Sequence, residues 1–110
     1  MSWSIDFYDK KVEDDIQSWP VGIKAKFTWI AEKIIEHGPE EVGMPHVKTL
    51  GKGLFEIRIK GKEGIGRAVF CQLVEKKVVI LNGFIKKTQK TPRKEIELAT
   101  KRMKEVKTNE

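Results

Sequence analysis

Cysteine is nearly absent: one residue, Cys71, stands in a chain of 110, so no internal disulfide forms and a disulfide scaffold is excluded. Cys71 falls inside an apolar, strand-like run and reads as a packed core thiol rather than a reactive one. Long hydrophobic runs are missing as well. Nothing approaches the roughly 20 apolar residues that cross a bilayer, so no membrane association is expected. The start, MSWSIDFYDKK, lacks the basic region and apolar stretch of a secretion signal, which makes the cytoplasm the expected compartment. The two histidines, His37 and His46, have no cysteine spacing beside them. That ligand set is too poor for zinc, and neither a metal nor another cofactor is expected. His46, in GMPHVK, reads as an exposed loop residue, with a substrate-facing role as its alternative. No nucleophile elbow and no glycine-rich phosphate cradle is found, nor any internal repeat or linker.

What the chain does have is charge, and the charge is lopsided. The formal net charge is +6, but residues 1–50 carry six Lys/Arg against nine Asp/Glu, for −3, while residues 51–110 carry sixteen against seven, for +9. Localised positive charge suits a polyanionic partner, nucleic acid or an acidic protein, although surface lysines kept for solubility give the same excess. With 39% hydrophobic and 35% charged residues the composition is that of a globular protein. A chain of this length is expected to form a single domain, residues 1–110, with only the final KTNE frayed.

Periodicity supplies the elements. SWSIDFY alternates Trp3, Ile5 and Phe7 against polar residues, as a half-buried strand does. Asp9 then caps a short helix carrying Val12, Ile16 and Trp19, which Pro20 stops. Ile23, Phe27, Ile30, Ala31, Ile34 and Ile35 form the apolar stripe of a second helix, closed by HGP at 37–39. Trp19, Phe27 and Trp29 sit at helical spacing and read as core rather than as a base-stacking platform. Residues 40–53 hold three glycines and a proline without a period and read as a connecting loop. Three strands follow, LFEIRIK, GRAVFCQL and KVVILNGF, joined by the turns GKEG and VEKK, the last strand covered on both faces. Thr91 and Pro92 read as the N-cap and first-turn residue of a final helix with Ile96, Ala99, Met103 and Val106 on one side. The fold class is therefore α+β: an N-terminal strand and a helical hairpin packed on an antiparallel sheet, with a C-terminal helix, in the order β-α-α-β-β-β-α.

Two constellations bear on function. Lys86, Lys87, Lys90, Arg93 and Lys94 lie within nine positions, beside the hydroxyls of Thr88 and Thr91 and the free amides of a helix start. Either a phosphate site or a solvated loop fits that density. Arg58 and Arg67 lie in neighbouring strands that the GKEG turn brings side by side, on a face expected to be wet. Two planar guanidiniums there brace a phosphate, or else pair with Glu56 and Glu63.

The segments KTLGKGLFEIRIKGKEGIGRAVFC and VVILNGFIKKTQKTPRKEIELATKRM, together covering roughly residues 45 to 105, resemble the RelE/ParE superfamily of bacterial toxins, in its HigB-like, phage-related branch. The most specific part is KKTQKTP between a strand and a helix. The resemblance implies the toxin of a type II toxin-antitoxin system, a ribosome-dependent endoribonuclease acting on messenger RNA. It also implies a cognate antitoxin with an acidic inhibitory segment and a DNA-binding domain. By the same resemblance Arg58, Arg67, Lys86 and Lys87 are the catalytic residues, and Lys60, Asn82, Phe84, Lys90, Arg93 and Lys94 contact RNA. The chain departs from the branch at Asn82 in LNGF, where a titratable histidine often stands. Two other readings share these features: a non-enzymatic ParE-like inhibitor of DNA gyrase, and a plain nucleic-acid-binding module.

Overall fold

The computed structural model describes residues 2–110 and holds nine elements. They are β1 (Ser4–Phe7), α1 (Lys10–Gln17), α2 (Val21–His37), α3 (Pro39–Val42), β2 (Val47–Gly51), β3 (Leu54–Gly61), β4 (Gly64–Leu73), β5 (Lys77–Lys86) and α4 (Arg93–Thr108). One five-stranded sheet runs in the order β1-β5-β4-β3-β2. The three central strands form the expected antiparallel meander, and β1 adds to its edge parallel to β5, with Ile5 opposite Val78.

Local chemistry accounts for the boundaries. Asp9 is extended, and its Oδ1 accepts a hydrogen bond from the Val12 amide at 2.9 Å, capping α1. Gly38 ends α2 at φ +88°, where a Cβ would stand 2.6 Å from Trp3 Nε1. The GKEG hairpin closes as read, with Gly61 opposite Gly64. Residues 40–53, expected as loop, contain the end of α3 and all of β2. The strand escaped periodicity because its pattern, VKTLG, buries only Val47, and its pairing with β3 is broken by an irregularity between Thr49 and Gly51. The C-terminal residues also differ from expectation. Lys107 and Thr108 belong to α4, and the Glu110 carboxylate accepts from the Val74 amide at 2.6 Å, which fastens the chain end to the β4–β5 turn.

The sheet separates two cores. On one face α1 and α2 pack Ile16, Trp19, Ile23, Phe27, Ile30 and Ile34 against Ile57, Ile59, Ala68, Phe70, Val78 and Ile80. On the other, α4 lays Ala99 and Met103 over Leu54, Val69, Cys71, Val79 and Leu81. Cys71 is fully buried, as read, and burial pushes its thiol up from the ordinary range. The hairpin helices come close because Gly66 and Gly83 face them: a Cβ on Gly66 would lie 2.7 Å from Ile23 Cγ2, and one on Gly83 2.6 Å from Ile16 Cγ1.

A bulge in β5 changes which residues face α4. Val69 pairs with Asn82 and Phe70 with Ile80, so Leu81 has no opposite residue. Val79 and Leu81 face α4 before it, and Asn82 and Phe84, the partners of Val69 and Arg67, face the same way after it. The Leu81 carbonyl accepts from Arg102 Nη1 of α4 at 2.6 Å.

Gly83→Val is expected to destabilise the protein by about 1–3 kcal/mol through overpacking against Ile16. Chemical denaturation checks this, and an unchanged midpoint would show that α1 does not need the close approach.

Candidate functional site

The α4 side of β3, β4 and β5 carries an unusual polar row among apolar residues. Arg58 and Arg67 are direct partners across β3 and β4, and Phe84 of β5 is opposite Arg67. The two guanidiniums share a face, as the side-by-side strands suggested, but that face is not wet. Arg67 is fully buried, and the Arg58 side chain keeps only 14% of its surface.

Residues 87–92 cover them as a strap between β5 and α4. Arg67 Nη2 donates to the carbonyls of Thr88 and, at 3.0 Å, Gln89. Arg58 Nη2 donates to the Gln89 carbonyl at 2.5 Å. Glu56, itself fully buried, accepts from Arg58 Nη1 at 3.0 Å on one oxygen and from Thr91 Oγ1 at 2.6 Å on the other. Thr91 is thus a buried tether rather than the helix cap expected; Pro92 holds the N-cap position, without a side-chain cap bond. Arg58 does pair with Glu56, but along β3 and not across strands, while Glu63 lies in the turn beyond β3.

The charges in this cluster do not balance. Two guanidiniums face one carboxylate, and Arg67 Nε and Nη1 are buried without a hydrogen-bond partner among the described residues. Burial, then the neighbouring Arg58, lowers the Arg67 pKa from its ordinary value, against a smaller opposing pull from Glu56. Like charges directly opposed across a ladder, with donors unmet, leave the site short of one anion.

Around the cluster the remaining cations reach solvent. Lys60, Lys86, Lys87, Lys90, Arg93 and Lys94 are exposed, and Arg93 pairs with Glu97 at 3.5 Å. Phe84 is half-buried and packs with the α4 core. Asn82 is not at this surface. It is 5% exposed, and its Nδ2 donates to Glu95 Oε1 at 2.9 Å, so it fastens α4 to β5 rather than meeting a ligand directly. Among the described residues no group of three potential ligands could hold a metal ion.

Two residues outside the expected site differ in burial from their sequence reading. Trp29, expected in the core, is 46% exposed, with the ammonium groups of Lys26 and Lys33 each 5.8 Å from its ring. His46 is half-buried, stacks edge-on against Trp29 at 5.6 Å, and lines a groove of about 380 Å³ with Arg58, Lys60 and Gln89. No period marked His46, because its place depends on β2 pairing at the sheet edge.

A model of phage-derived Gp49-like proteins matches residues 14–104. The chain belongs to the Gp49-like (DUF891) family. The fold is that of the RelE toxin: this Gp49-like chain superposes on a double-arginine mutant of E. coli RelE in the free state with a TM-score of 0.58, covering 96% of this chain and 99% of that one at 15% identity. Family and fold together bear out the resemblance to the phage-related branch of the RelE/ParE superfamily. No curated protein matches the chain in sequence.

The charge imbalance has a measurable consequence for stability. Glu56→Ala leaves two guanidiniums in a largely buried site without a carboxylate and is expected to cost about 3–5 kcal/mol, whereas Arg67→Met removes the unmatched charge and is expected to be neutral or stabilising. Denaturant midpoints for the two variants check this; a large loss in Arg67→Met would mean that the buried arginine is satisfied after all.

Proposed function

We propose that this protein is the toxin of a type II toxin-antitoxin pair and cuts messenger RNA on the ribosome. The observation that carries the reading is the in-register pair Arg58 and Arg67, short of one anion, under a strap rimmed with exposed lysines. A phosphodiester supplies the missing negative charge. Its non-bridging oxygens take the unmatched donors of Arg67 and replace the strap carbonyls, weaker partners for guanidinium than an anion is. Residues 87–90 of the strap are exposed and meet the arginines through oxygens of Thr88 and Gln89, so an anion displaces those oxygens while Thr91 stays tied to Glu56.

Cleavage then follows from RNA's own chemistry. The 2′-oxygen attacks the adjacent phosphorus, the five-coordinate intermediate gathers charge, and the 5′-oxygen leaves with a proton. Arg58 and Arg67 stabilise the charge, the largest single term in such sites. Lys86 or Lys87 supplies the leaving-group proton or a second positive charge, and Lys60, Lys90, Arg93 and Lys94 hold the flanking backbone. Phe84 and Asn82 support the site from beneath, Phe84 against Arg67 and Asn82 through Glu95. None of these steps requires a metal ion.

The same cationic surface suits an antitoxin segment rich in carboxylates, whose charge speeds association. The toxin is read as one domain acting in the cytoplasm with the ribosome and mRNA as targets; no helix among the described residues is long and apolar enough to cross a membrane.

Primer extension on a defined message in a cell-free translation reaction tests the reading. Wild-type protein is expected to produce discrete cuts that need ribosomes, and Arg67→Met to lose about 10²- to 10³-fold in rate, the cost of removing one oxyanion donor. Intact message with continuing translation would contradict it and turn attention to DNA supercoiling and gyrase.

A further inference from the structure

We propose that His46 is the proton acceptor for the attacking 2′-hydroxyl, seated beside Arg58 in the groove at the sheet edge. The assignment deepens the nuclease reading and rests on it. Metal-free cleavage of RNA needs a group that takes a proton from the 2′-hydroxyl, and Asn82 cannot do so: an amide does not titrate, and this one is buried beneath α4. His37 lies at the far end of α2, 3.8 Å from Glu36, in a separate depression with Trp3 and Gly38. His46 is the imidazole that shares a groove with Arg58.

Its position is held from three sides. The His46 amide donates to the Gly43 carbonyl at 3.1 Å, and the His46 carbonyl accepts from the Arg58 amide at 2.9 Å, so the two residues are joined through the backbone. The ring meets Trp29 edge-on, with an interplanar angle of 80°. A phosphate drawn to Arg58 therefore lies next to an imidazole whose orientation is already set. The charged and polar groups that line the groove with His46 are Lys26 from α2, Arg58 and Lys60 from β3, and uncharged Gln89 from the strap. Beyond Trp29 lies Lys33. No carboxylate lines the groove among the described residues, and Glu56 is engaged by Arg58 and Thr91. A cation-lined groove draws the RNA backbone in, and imidazole is a side chain that serves as a general base.

The step balances as follows. The proton of the 2′-hydroxyl passes to an imidazole nitrogen, the 2′-oxygen forms a bond to phosphorus, and the bond from phosphorus to the 5′-oxygen breaks. The 5′-oxygen leaves with that electron pair and takes a proton from a lysine ammonium or water. The products are a 2′,3′-cyclic phosphate and a 5′-hydroxyl end, and His46 returns its proton to solvent.

Single-turnover cleavage of ribosome-bound message across pH 5 to 9 tests the assignment, with binding measured separately on an RNA whose 2′-hydroxyl at the cut position is removed. His46→Gln is expected to cut about 10²- to 10⁴-fold more slowly, the usual worth of general acid-base help, with binding kept and the acidic limb of the pH profile gone. His46→Ala leaves a ring-sized gap beside Trp29, and free imidazole is expected to restore its cleavage. Wild-type rates in both variants, or a rate loss matched by lost binding and no rescue by imidazole, would overturn the assignment. A wild-type protein that binds ribosomes but never cuts would overturn the nuclease reading and this one with it; active wild type with active His46→Gln would overturn His46 alone.

Discussion

Two arginines held opposite each other across one antiparallel ladder, with a single buried carboxylate beside them, set the terms for the rest of the molecule. Arg58 and Arg67 repel, and burial removes the water that would screen them. Glu56 offsets one of the two charges, and the carbonyls of Thr88 and Gln89 offset part of the other. The strap is therefore part of the structure around the arginines, its carbonyls taking hydrogen bonds that, in the proposed function, pass to a phosphate. Buried ion clusters seldom raise stability over an apolar alternative. Under the proposed function, the cluster is completed only when a phosphate binds.

The remaining architecture delivers that row to one face. The GKEG turn fixes the β3–β4 register, and a slip of one residue between the strands would put the two arginines on opposite faces of the sheet. The β5 bulge keeps Leu81 and Asn82 on the α4 side in succession, so Phe84 ends opposite Arg67. Close packing of α1 and α2 on Gly66 and Gly83 stiffens the sheet from behind. At the β2 edge, pairing of His46 with Arg58 through the main chain brings the groove, Trp29 and the arginine row together.

Much of this was legible in the sequence because it depends on local rules. The apolar stripe of α2, the alternation of LFEIRIK and the glycines flanking the turn need only periods of 3.6 and 2 and knowledge of turn residues. That Arg58 and Arg67 lie in adjacent strands followed from the same turn, although their residue-to-residue register did not. What was not legible depends on distant packing. Whether their face is wet turns on where α4 and the strap lie, which no local pattern in either strand encodes. β2 is specified by the partner it meets rather than by its own five residues, and the half-burial of His46, a loop residue as read, depends on that same pairing; Trp29, read as core, is exposed on α2. Thr91 has the chemistry of a helix cap, yet a buried carboxylate 35 residues earlier in the chain, Glu56, takes its hydroxyl instead.

The most direct test of the central claim is to watch the Arg67 guanidinium itself. Nitrogen-detected NMR of arginine side chains, during titration with a short single-stranded RNA lacking the reactive 2′-hydroxyl, reports each donor separately. The account predicts that the Arg67 Nε and Nη signals shift and exchange more slowly as phosphate takes the unmatched donors, while the strap amides of residues 87–90 exchange faster. RNA that binds with the Arg67 signals unmoved would contradict it, and would make the buried arginine a structural element with no part in holding phosphate.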